Sequence, residues 1–473
     1  MKARVRMYQV GLGDCFVLSF WDREDDPTPK HVLVDCGVLL GTPDGTQIMR
    51  QTVEQIREEL GGLHAVVATH QHWDHISGFN QARAIFDDLP VDEVWLGWTE
   101  DPHDAQATRL RADRSLKLAA LQASVRRWQA LGETAAGTNR AQGLTQDMLS
   151  FFGDLGATGT RSTADAQRYL DSELACDRRR FLEPGDSFAV RGVQGLRVFV
   201  LGPPRDEALL HKDRPSTRDP ETYHVGGAPP TEQASLLAAC EDSGCNATVG
   251  NPFDAYYRVP MDEAQTHPVF APRYFQGPSW RTIDADWLEP VGELALALDS
   301  DTNNTSLVLA FELGDGGDVI LMAGDAQVGS WLSWPTVEFR YRVGNERRRV
   351  SAEELLSRVV LYKVGHHASH NATVSEGGLE SMVHEGLVAM IPVDEQMARN
   401  KKWTMPFPPL LQRLNDKTRG RVIRLDEGLP DPKSLGRLDA SERSAFAAAT
   451  REVRDADGRP LYVEIELGSD PPP

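Results

Sequence analysis

Residues 70–75 of this 473-residue chain read HQHWDH and directly follow the apolar run 65–68, which reads AVVA. Imidazole and carboxylate groups are common metal ligands in proteins, and this stretch contains three histidines and one aspartate. The apolar run predicts a buried strand, so these side chains stand just beyond a strand end. Six residues cannot surround a metal ion alone, and we therefore interpret the stretch as part of a metal site.

Two other apolar runs also end at ligand-type side chains. Residues 319–322 (VILM) precede Asp325, and residues 359–364 (VVLYKV) precede His366 and His367. Because the ends of neighbouring strands can meet at one rim of a sheet, we expect these side chains to lie beside the HQHWDH stretch. The sequence therefore predicts one metal centre assembled from three strand ends.

Spacing within the HQHWDH stretch divides its ligands between two positions. His70 and His72 stand at i and i+2, so in an extended backbone they project to the same side and can chelate one metal. Asp74 and His75 then turn towards a second position, and a carboxylate such as Asp325 can bridge two cations.

The second position needs a further imidazole. His366 can complete it, and the adjacent His367 is the alternative, because sequence alone does not choose between neighbouring histidines. Imidazoles with a few carboxylates suit Zn²⁺ best, in one or two copies, with Mn²⁺ or Fe as alternatives.

Composition and charge limit the partners. A formal net charge of −20 argues against a broad surface for duplex nucleic acid, although a locally basic cleft is compatible with it. The short basic clusters are 178–180, 347–349 and 399–402, and such runs are usually solvated faces. No apolar stretch has the length of a membrane span, and no signal-peptide pattern follows the first residues, so we expect a cytoplasmic protein without a membrane partner.

Short strand-type runs alternate with helical patterns along the chain, which predicts an α/β domain. We place this domain at residues 1–427, with insertions at about 100–190 and 203–292. Residues 428–473 are expected to form a C-terminal extension whose tail, 469–473, is disordered.

The HQHWDH stretch, followed by Ser77 and Gly78, resembles the HxHxDH signature of the metallo-β-lactamase superfamily. Further segments resemble its ComEC-type branch, named for the hydrolase domain of bacterial DNA-uptake proteins. These segments are 10–15 (VGLGDC), 33–37 (LVDCG), 303–309 (NNTSLVL), 321–325 (LMAGD) and 363–369 (KVGHHAS). The resemblance covers residues 1 to about 100 and about 195–425 in pieces.

This resemblance implies a four-layer αβ/βα sandwich with helical and irregular insertions and a metal site at the sheet edge. It implies that His70 and His72 hold a first metal, that Asp74, His75 and His366 hold a second, and that Asp325 bridges them. It further implies that Asp35 supports the metal loop through hydrogen bonds.

One position departs from the superfamily pattern. Members often carry another histidine on an intermediate strand, and the apparent match at residues 200–204 (VLGPP) places Gly202 there. We therefore expect the first metal position to be open or weak. Substitution by His224 or His267 of the insertion is a less favoured alternative, because neither lies in a motif.

The expected reaction is hydrolysis by a metal-activated water, because a suitable metal site lowers the pKa of bound water from about 15.7 towards roughly 7. Asp74 or Asp325 can orient that water. Lys363 and His367 flank the last ligand position, where they can stabilise negative charge or protonate a leaving oxygen.

The favoured hypothesis is a metal-dependent phosphodiesterase or nuclease, because the resembled branch is linked with nucleic acid. Its expected substrate is a phosphodiester, with single-stranded nucleic acid or a nucleotide as options, and the insertions offer surface to a protein partner. The alternatives are a hydrolase of small carbonyl substrates, such as a lactone or thioester, and a catalytically weak effector module that a partner activates. Basic groups around the metal favour the first, and an apolar pocket favours the second.

Overall fold

The computed structural model describes residues 1–22, 28–131, 148–153, 162–212, 221–222, 259, 261–276 and 289–468. These residues fall into two compact units. The first unit lies within Met1–Arg111, Ser150–Gly227 and Ser300–Pro473, and the second lies within Ala112–Leu149 and Ala228–Asp299. All residues of the predicted metal centre belong to the first unit.

The first unit contains an eight-stranded sheet in the order β16-β17-β1-β2-β3-β4-β5-β6. Its strands are β1 Lys2–Tyr8, β2 Cys15–Trp21, β3 Lys30–Cys36, β4 Leu63–Ala68, β5 Val91–Gly97, β6 Arg178–Leu182, β16 Thr450–Arg454 and β17 Pro460–Leu467. Strands β3 to β6 run parallel, whereas β1 pairs antiparallel with both β2 and β17.

A seven-stranded sheet has the order β15-β14-β13-β10-β9-β8-β7. Its strands are β7 Ser187–Ala189, β8 Leu196–Gly202, β9 Val308–Leu313, β10 Asp318–Met322, β13 Val359–Lys363, β14 Val388–Ile391 and β15 Val422–Arg424. Strands β10, β13, β14 and β15 are parallel neighbours. Strands β11 Glu338–Val343 and β12 Glu346–Ser351 form a separate two-stranded ribbon.

The two large sheets pack on each other through a shared apolar core. Phe20 of β2 stacks on Phe311 of β9 with ring centroids 5.5 Å apart. In β4, Val67 belongs to this shared core, whereas Val66 points into a second apolar cluster on the opposite face. Because successive side chains of a strand point to opposite faces, a continuous apolar run such as β4 is buried on both sides.

Helices cover the outer faces of the sheets. The second apolar cluster joins Val66 to Ile56 of the helix Gly45–Leu60 and Phe79 of the helix Trp73–Gln81. Beside the other sheet, Trp331 of the helix Val328–Ser333 lies edge-on to Tyr362 of β13, with ring centroids 6.0 Å apart. The predicted α/β class, with sheets between helical layers, is confirmed.

The remaining helices are mostly short connections. They are Arg83–Asp87, Ala105–Leu131, Thr163–Arg168, Glu207–Leu210, Met261–Thr266, Glu289–Asn304, Ala352–Ser357, Glu395–Asn400, Pro408–Lys417 and Ala440–Ala449. Single turns of 3-10 or π type occur at Trp98–Glu100, Ser150–Phe152, Tyr169–Glu173, Ala271–Phe275, Trp334–Thr336, His366–Ala368, Leu379–Ser381 and Ser434–Arg437. Within the described ranges, no helix is both long and apolar enough to cross a bilayer.

Two segments placed outside the predicted domain core contribute strands to the eight-stranded sheet. The segment expected to be an insertion at about 100–190 contributes β6, which pairs with β5. The segment expected to be a C-terminal extension, 428–473, contributes β16 and β17 to the eight-stranded sheet. The tail 469–473 lies outside the described residues, and the domain limits themselves remain a prediction.

Candidate metal centre

Both sheets contribute to one rim where the predicted site residues lie. The backbone N–H of Leu307, just before β9, donates to the carbonyl of Thr69, just after β4, at 2.8 Å. Gly324 follows β10 with a φ of 54°, and a Cβ there would lie only 3.0 Å from the Cβ of Thr69. A glycine is required at this close approach, which brings the following Asp325 against the HQHWDH stretch.

Four side chains form a buried cluster of donor atoms at this rim. Asp74, His75, Asp325 and His367 each offer one donor atom, and all four atoms lie within 4.8 Å of one another. His367 Nε2 is 3.0 Å from Asp74 Oδ2, and His75 Nε2 is 3.1 Å from Asp325 Oδ2.

This cluster has the chemistry of a divalent cation site. Two imidazoles and two carboxylates are a donor set that binds Zn²⁺ or Mn²⁺. Among the described residues, Asp74 Oδ1 has no hydrogen-bond partner although it is buried. Because buried carboxylate oxygens are normally paired, this atom supports the fit of a cation.

His70 and His72 form a second pair of donors beside the cluster. His70 Nε2 lies 3.0 Å from His72 Nδ1, so the two rings turn these nitrogens towards each other. Burial lowers the pKa of His72 to about 3 and lowers the pKa of His70 well below 6.5. Both rings are therefore neutral at pH 7, as metal ligation requires.

The charge of Asp325 affects the histidines of the four-residue cluster and also the pair of His70 and His72. Burial alone would raise the pKa of Asp325, but the charges of His75 and Lys363 outweigh it and hold this pKa well below 3.8. The resulting negative charge acts on His70 and on His72 as well. The bridging role of Asp325 remains a prediction.

His75 is surrounded by carboxylates. Burial alone would lower the pKa of His75, but Asp325, Asp14 and Asp35 outweigh it and raise this pKa well above 6.5. Because a metal binds the neutral imidazole, we expect metal uptake at this residue to release a proton.

The two adjacent histidines after β13 have different environments. His367 Nδ1 lies 2.6 Å from the carbonyl oxygen of Pro392, and its Nε2 faces Asp74. His366 Nδ1 instead lies 3.0 Å from Gln327 Nε2 and 2.8 Å from Ser369 Oγ. The four-residue cluster therefore contains His367, the alternative that the sequence left open.

Lys363 is held by three acceptors. Its Nζ donates to the carbonyl of Gly324 at 2.7 Å and to Asp325 Oδ1 at 3.1 Å, and it forms an ion pair with Asp14. Burial alone would lower the pKa of Lys363, but Asp14 and Asp325 outweigh it and raise this pKa. An ammonium group has three donors, so these contacts use all of them.

Asp14 is a site residue that the sequence-based ligand set did not contain. It is 1% exposed and lies within the VGLGDC segment, whose resemblance to the ComEC-type branch was the available signal. Asp14, Asp35 and His75 form a second group of close, buried donor atoms.

Asp35 supports the loop that carries the ligands. Its Oδ1 accepts from the backbone N–H of Thr69 at 2.8 Å, and its Oδ2 lies 2.7 Å from Thr69 Oγ1 and 2.8 Å from His75 Nδ1. These contacts orient His75 so that its Nε2 points to the cluster, as the supporting role expected for Asp35 requires.

An aromatic wall lies beside His72. Phe151 and Phe152 have ring centroids 5.4 and 5.1 Å from that of His72. Trp403 stacks on Phe151 at 5.2 Å with an interplanar angle of 18°, and Lys401 Nζ lies 5.2 Å from the centre of the Trp403 ring. Neither phenylalanine stands in a recognisable motif, so the sequence did not indicate that they would lie at the site.

At Gly202 the structure leaves little room for a side chain. A Cβ there would lie 2.9 Å from Ser330 Oγ and 3.3 Å from Val308 Cγ2. Of the proposed substitutes, His224 lies outside the described residues. His267 belongs to the second unit, where its ring packs against Phe270 at 4.9 Å.

Comparison with known families identifies one part of the chain. A family model described as the metallo-beta-lactamase superfamily matches residues 26–112, which contain β4 and the HQHWDH stretch. No curated protein matches the chain, and no solved structure matches it.

Proposed function

We propose that this protein is a metal-dependent hydrolase of phosphodiester bonds, acting as a phosphodiesterase or nuclease. The observation that carries the proposal is the buried cluster of Asp74, His75, Asp325 and His367 beside the facing His70 and His72. A superfamily domain at residues 26–112 supports hydrolysis, and the resemblance of further segments to the ComEC-type branch supports a phosphodiester substrate.

The donor groups define which residues would hold metal ions. Asp74, His75 and His367 would hold one cation, His70 and His72 a second, and Asp325 would stand between them. Zn²⁺ is the first candidate, with Mn²⁺ or Fe as alternatives. When bound, such cations supply Lewis-acid activation of water and of the phosphoryl group.

Asp74 is the residue best placed to orient a nucleophilic water. Its Oδ2 lies 3.0 Å from His367 Nε2, whereas Oδ1 has no hydrogen-bond partner among the described residues. With Oδ2 on the side of the cation that His367 would hold, Oδ1 can accept a hydrogen bond from water and so orient it.

His367 and Lys363 have different roles: His367 would bind a cation, and Lys363 positions the Asp325 carboxylate. The contact of His367 Nδ1 with the carbonyl of Pro392 places the ring hydrogen on Nδ1, which leaves the lone pair of Nε2 for a cation. Lys363 contacts Gly324, Asp325 and Asp14, so it fixes the Asp325 carboxylate and balances the charge of two aspartates.

The aromatic wall supports a nucleotide or single-stranded nucleic acid as the substrate. Aromatic side chains stack on unpaired bases, and a neighbouring cation favours their phosphates. The half-buried Trp403 brings an aromatic ring and the neighbouring Lys401 together, and Phe151, on which Trp403 stacks, lies next to His72. A chain with a net charge of −20 is less suited to duplex DNA.

A second candidate function, hydrolysis of small carbonyl substrates, is based on the same aromatic wall. Phe151 and Phe152 give His72 an apolar neighbourhood, which would also suit the acyl part of a lactone or thioester. A third candidate, a partner-activated effector of weak activity, rests on Gly202, where no histidine completes the His70 and His72 pair.

The test combines metal content with substrate choice. Purified protein is measured by inductively coupled plasma mass spectrometry and then assayed with bis-p-nitrophenyl phosphate and with a thioester, with added Zn²⁺ or Mn²⁺. Bound metal with phosphodiester turnover is expected. Thioester turnover alone would select the carbonyl hydrolase, and failure to bind metal or turn over either substrate would contradict a hydrolase.

A variant pair links turnover to the cluster. Asp325→Ala is expected to lower metal affinity and turnover more than about 100-fold, because it removes a ligand and not only a supporting contact. Asp318→Ala, at the half-exposed start of the same β10 strand, is the matched control and should retain both.

A further inference from the structure

The ribbon of β11 and β12 carries four arginines on one face, here called the arginine face. The register places Arg340 opposite Arg349 and Arg342 opposite Arg347. Because side chains alternate along a strand and opposed residues share a face, all four project to the same side. All four are exposed.

The opposite face of the ribbon is anchored to the seven-stranded sheet. Phe339 and Tyr341 pack against Phe199 of β8, with ring centroids 5.0 and 5.4 Å apart. Phe339 and its cross-strand neighbour Val350 are buried. A shift of one residue in register would expose these apolar side chains, so the arginine face is held towards solvent.

This arrangement is unfavourable for folding by itself. Like charges directly opposite each other in a sheet destabilise it. On the same face, Glu338 is the one acidic neighbour in the ribbon: it contacts Arg340 at 3.5 Å and pairs with Arg349. Arg342 and Arg347 form no ion pair with any residue that the structure describes.

We propose that the arginine face binds the phosphodiester backbone of single-stranded nucleic acid. Guanidinium groups donate paired hydrogen bonds to phosphate oxygens, which makes arginine suited to this backbone. Residues two apart on a strand are separated by about 6.8 Å, so the face presents an extended array that can contact successive phosphates.

The choice of nucleic acid among polyanions rests on the proposed phosphodiesterase function. The exposed guanidinium groups recognise the phosphate backbone, so binding would not depend on base sequence. Its role would be to retain a strand that the metal centre cleaves. The basic run 347–349, ordinarily interpreted as a solvated surface, becomes a docking surface because the ribbon pairs it with Arg340 and Arg342.

The test measures binding separately from cleavage. The full chain is titrated with fluorescein-labelled oligo(dT), longer than about 16 nucleotides, in the presence of EDTA, and anisotropy is followed across salt concentrations. Arg342→Gln with Arg347→Gln is expected to weaken binding at least about tenfold. Loss of two phosphate contacts should also reduce the slope of log affinity against log salt by about 1.4.

A matched double variant controls for net charge. Arg437→Gln with Arg454→Gln removes the same charge from arginines whose side chains are 62% and 53% exposed elsewhere on the unit. Affinity and salt slope should stay at the wild-type values in this variant. The melting temperature should not fall in the Arg342 and Arg347 variant, because it removes a pair of like charges.

Three results would overturn the proposal. They are unchanged oligonucleotide affinity in the Arg342 and Arg347 variant, equal losses in both double variants, and arginine-dependent binding to phosphatidylserine vesicles without binding to the oligonucleotide. Turnover of bis-p-nitrophenyl phosphate should be the same in the variant and in the wild type. If no protein turns it over, the proposed phosphodiesterase fails while the binding result stands.

Discussion

His367 Nε2 lies 3.0 Å from Asp74 Oδ2, although 293 residues separate the two in the sequence. Asp74 stands in the first turn of the helix after β4, and His367 follows β13 in the other sheet. The donor cluster can therefore form only when the two sheets are packed on each other. Folding of the sandwich and assembly of the site are coupled at this contact.

The first prediction separates the two adjacent histidines. His367→Ala is expected to lower metal affinity by at least about 10- to 100-fold, because it removes a donor atom from the cluster. His366→Ala should change metal content less, since the His366 ring contacts Gln327 and Ser369. Equilibrium dialysis followed by metal analysis measures both. A larger loss in the His366 variant would contradict this assignment.

The second prediction concerns Asp35. Asp35→Ala leaves the buried donors of Thr69 and His75 without their acceptor, so the free energy of unfolding should fall by about 3 kcal/mol or more. Asp35→Asn keeps one acceptor oxygen, and asparagine tolerates the φ of 56° better than alanine does. The free energy of unfolding should therefore fall less in Asp35→Asn than in Asp35→Ala. Urea denaturation measures both changes.

Asp44 provides the control for backbone strain at Asp35. It has the same φ of 56°, but it is exposed and its side chain makes no capping hydrogen bond to the following helix. Asp44→Ala should therefore lower the free energy of unfolding by only about 1–2 kcal/mol, the effect of left-handed backbone alone. Equal losses in Asp35→Ala and Asp44→Ala would show that the Asp35 hydrogen bonds contribute little.

The third prediction tests the space around Gly202. Gly202→Ala places a Cβ about 2.9 Å from Ser330 Oγ and should lower the free energy of unfolding by about 1–3 kcal/mol. Ser330→Ala alone should be close to neutral, because this hydroxyl oxygen is buried without a hydrogen-bond partner among the described residues.

The double variant decides whether this contact is responsible. Gly202→Ala with Ser330→Ala removes the close oxygen, so most of the lost stability should return. If the two effects simply add, Val308 or the strand backbone limits the space instead. The same steric limit explains why the structure does not accommodate a histidine at residue 202 without displacing its neighbours.

The sequence was most informative where local pattern and chemistry coincide. The AVVA run before HQHWDH predicted a buried strand followed by ligand-type side chains, and β4 ends at Ala68 as that pattern requires. Alternation of strand and helix patterns predicted the α/β class, which depends on apolar periodicity and not on any single contact.

Other features depend on contacts between distant segments. Asp14 belongs to the site because it forms an ion pair with Lys363, which is distant in the sequence. Phe151 belongs to it because its ring packs against that of His72. The arginine face depends on the register between β11 and β12, which turns a basic run into opposed pairs. No spacing rule within one segment specifies such distances, so these contacts are defined only by the folded chain.

The last prediction concerns Asp171, within the turn Tyr169–Glu173. Burial and, second to it, the charge of Glu100 raise the pKa of Asp171 from 3.8 to about 7. Between pH 3.8 and about 7, Asp171 is protonated in the folded chain but ionised in the unfolded chain. The free energy of unfolding therefore falls as the pH rises through this range. Asp171→Asn keeps an acceptor for Gln167 and should raise the free energy of unfolding by about 2–4 kcal/mol at pH 8.

The pH dependence distinguishes this effect from a general gain in packing. The advantage of Asp171→Asn should shrink when urea denaturation is repeated at pH 5, because most of the destabilising window lies above that pH. Asp165→Asn is the control with the opposite sign. Hydrogen bonds from Ser162 and Arg168 lower the pKa of Asp165, so its negative charge stabilises the folded chain at both pH values. Removing that charge should therefore lower the free energy of unfolding by a similar amount at pH 5 and pH 8. An equal gain at pH 5 and pH 8 for Asp171→Asn would mean that buried charge is not the cause.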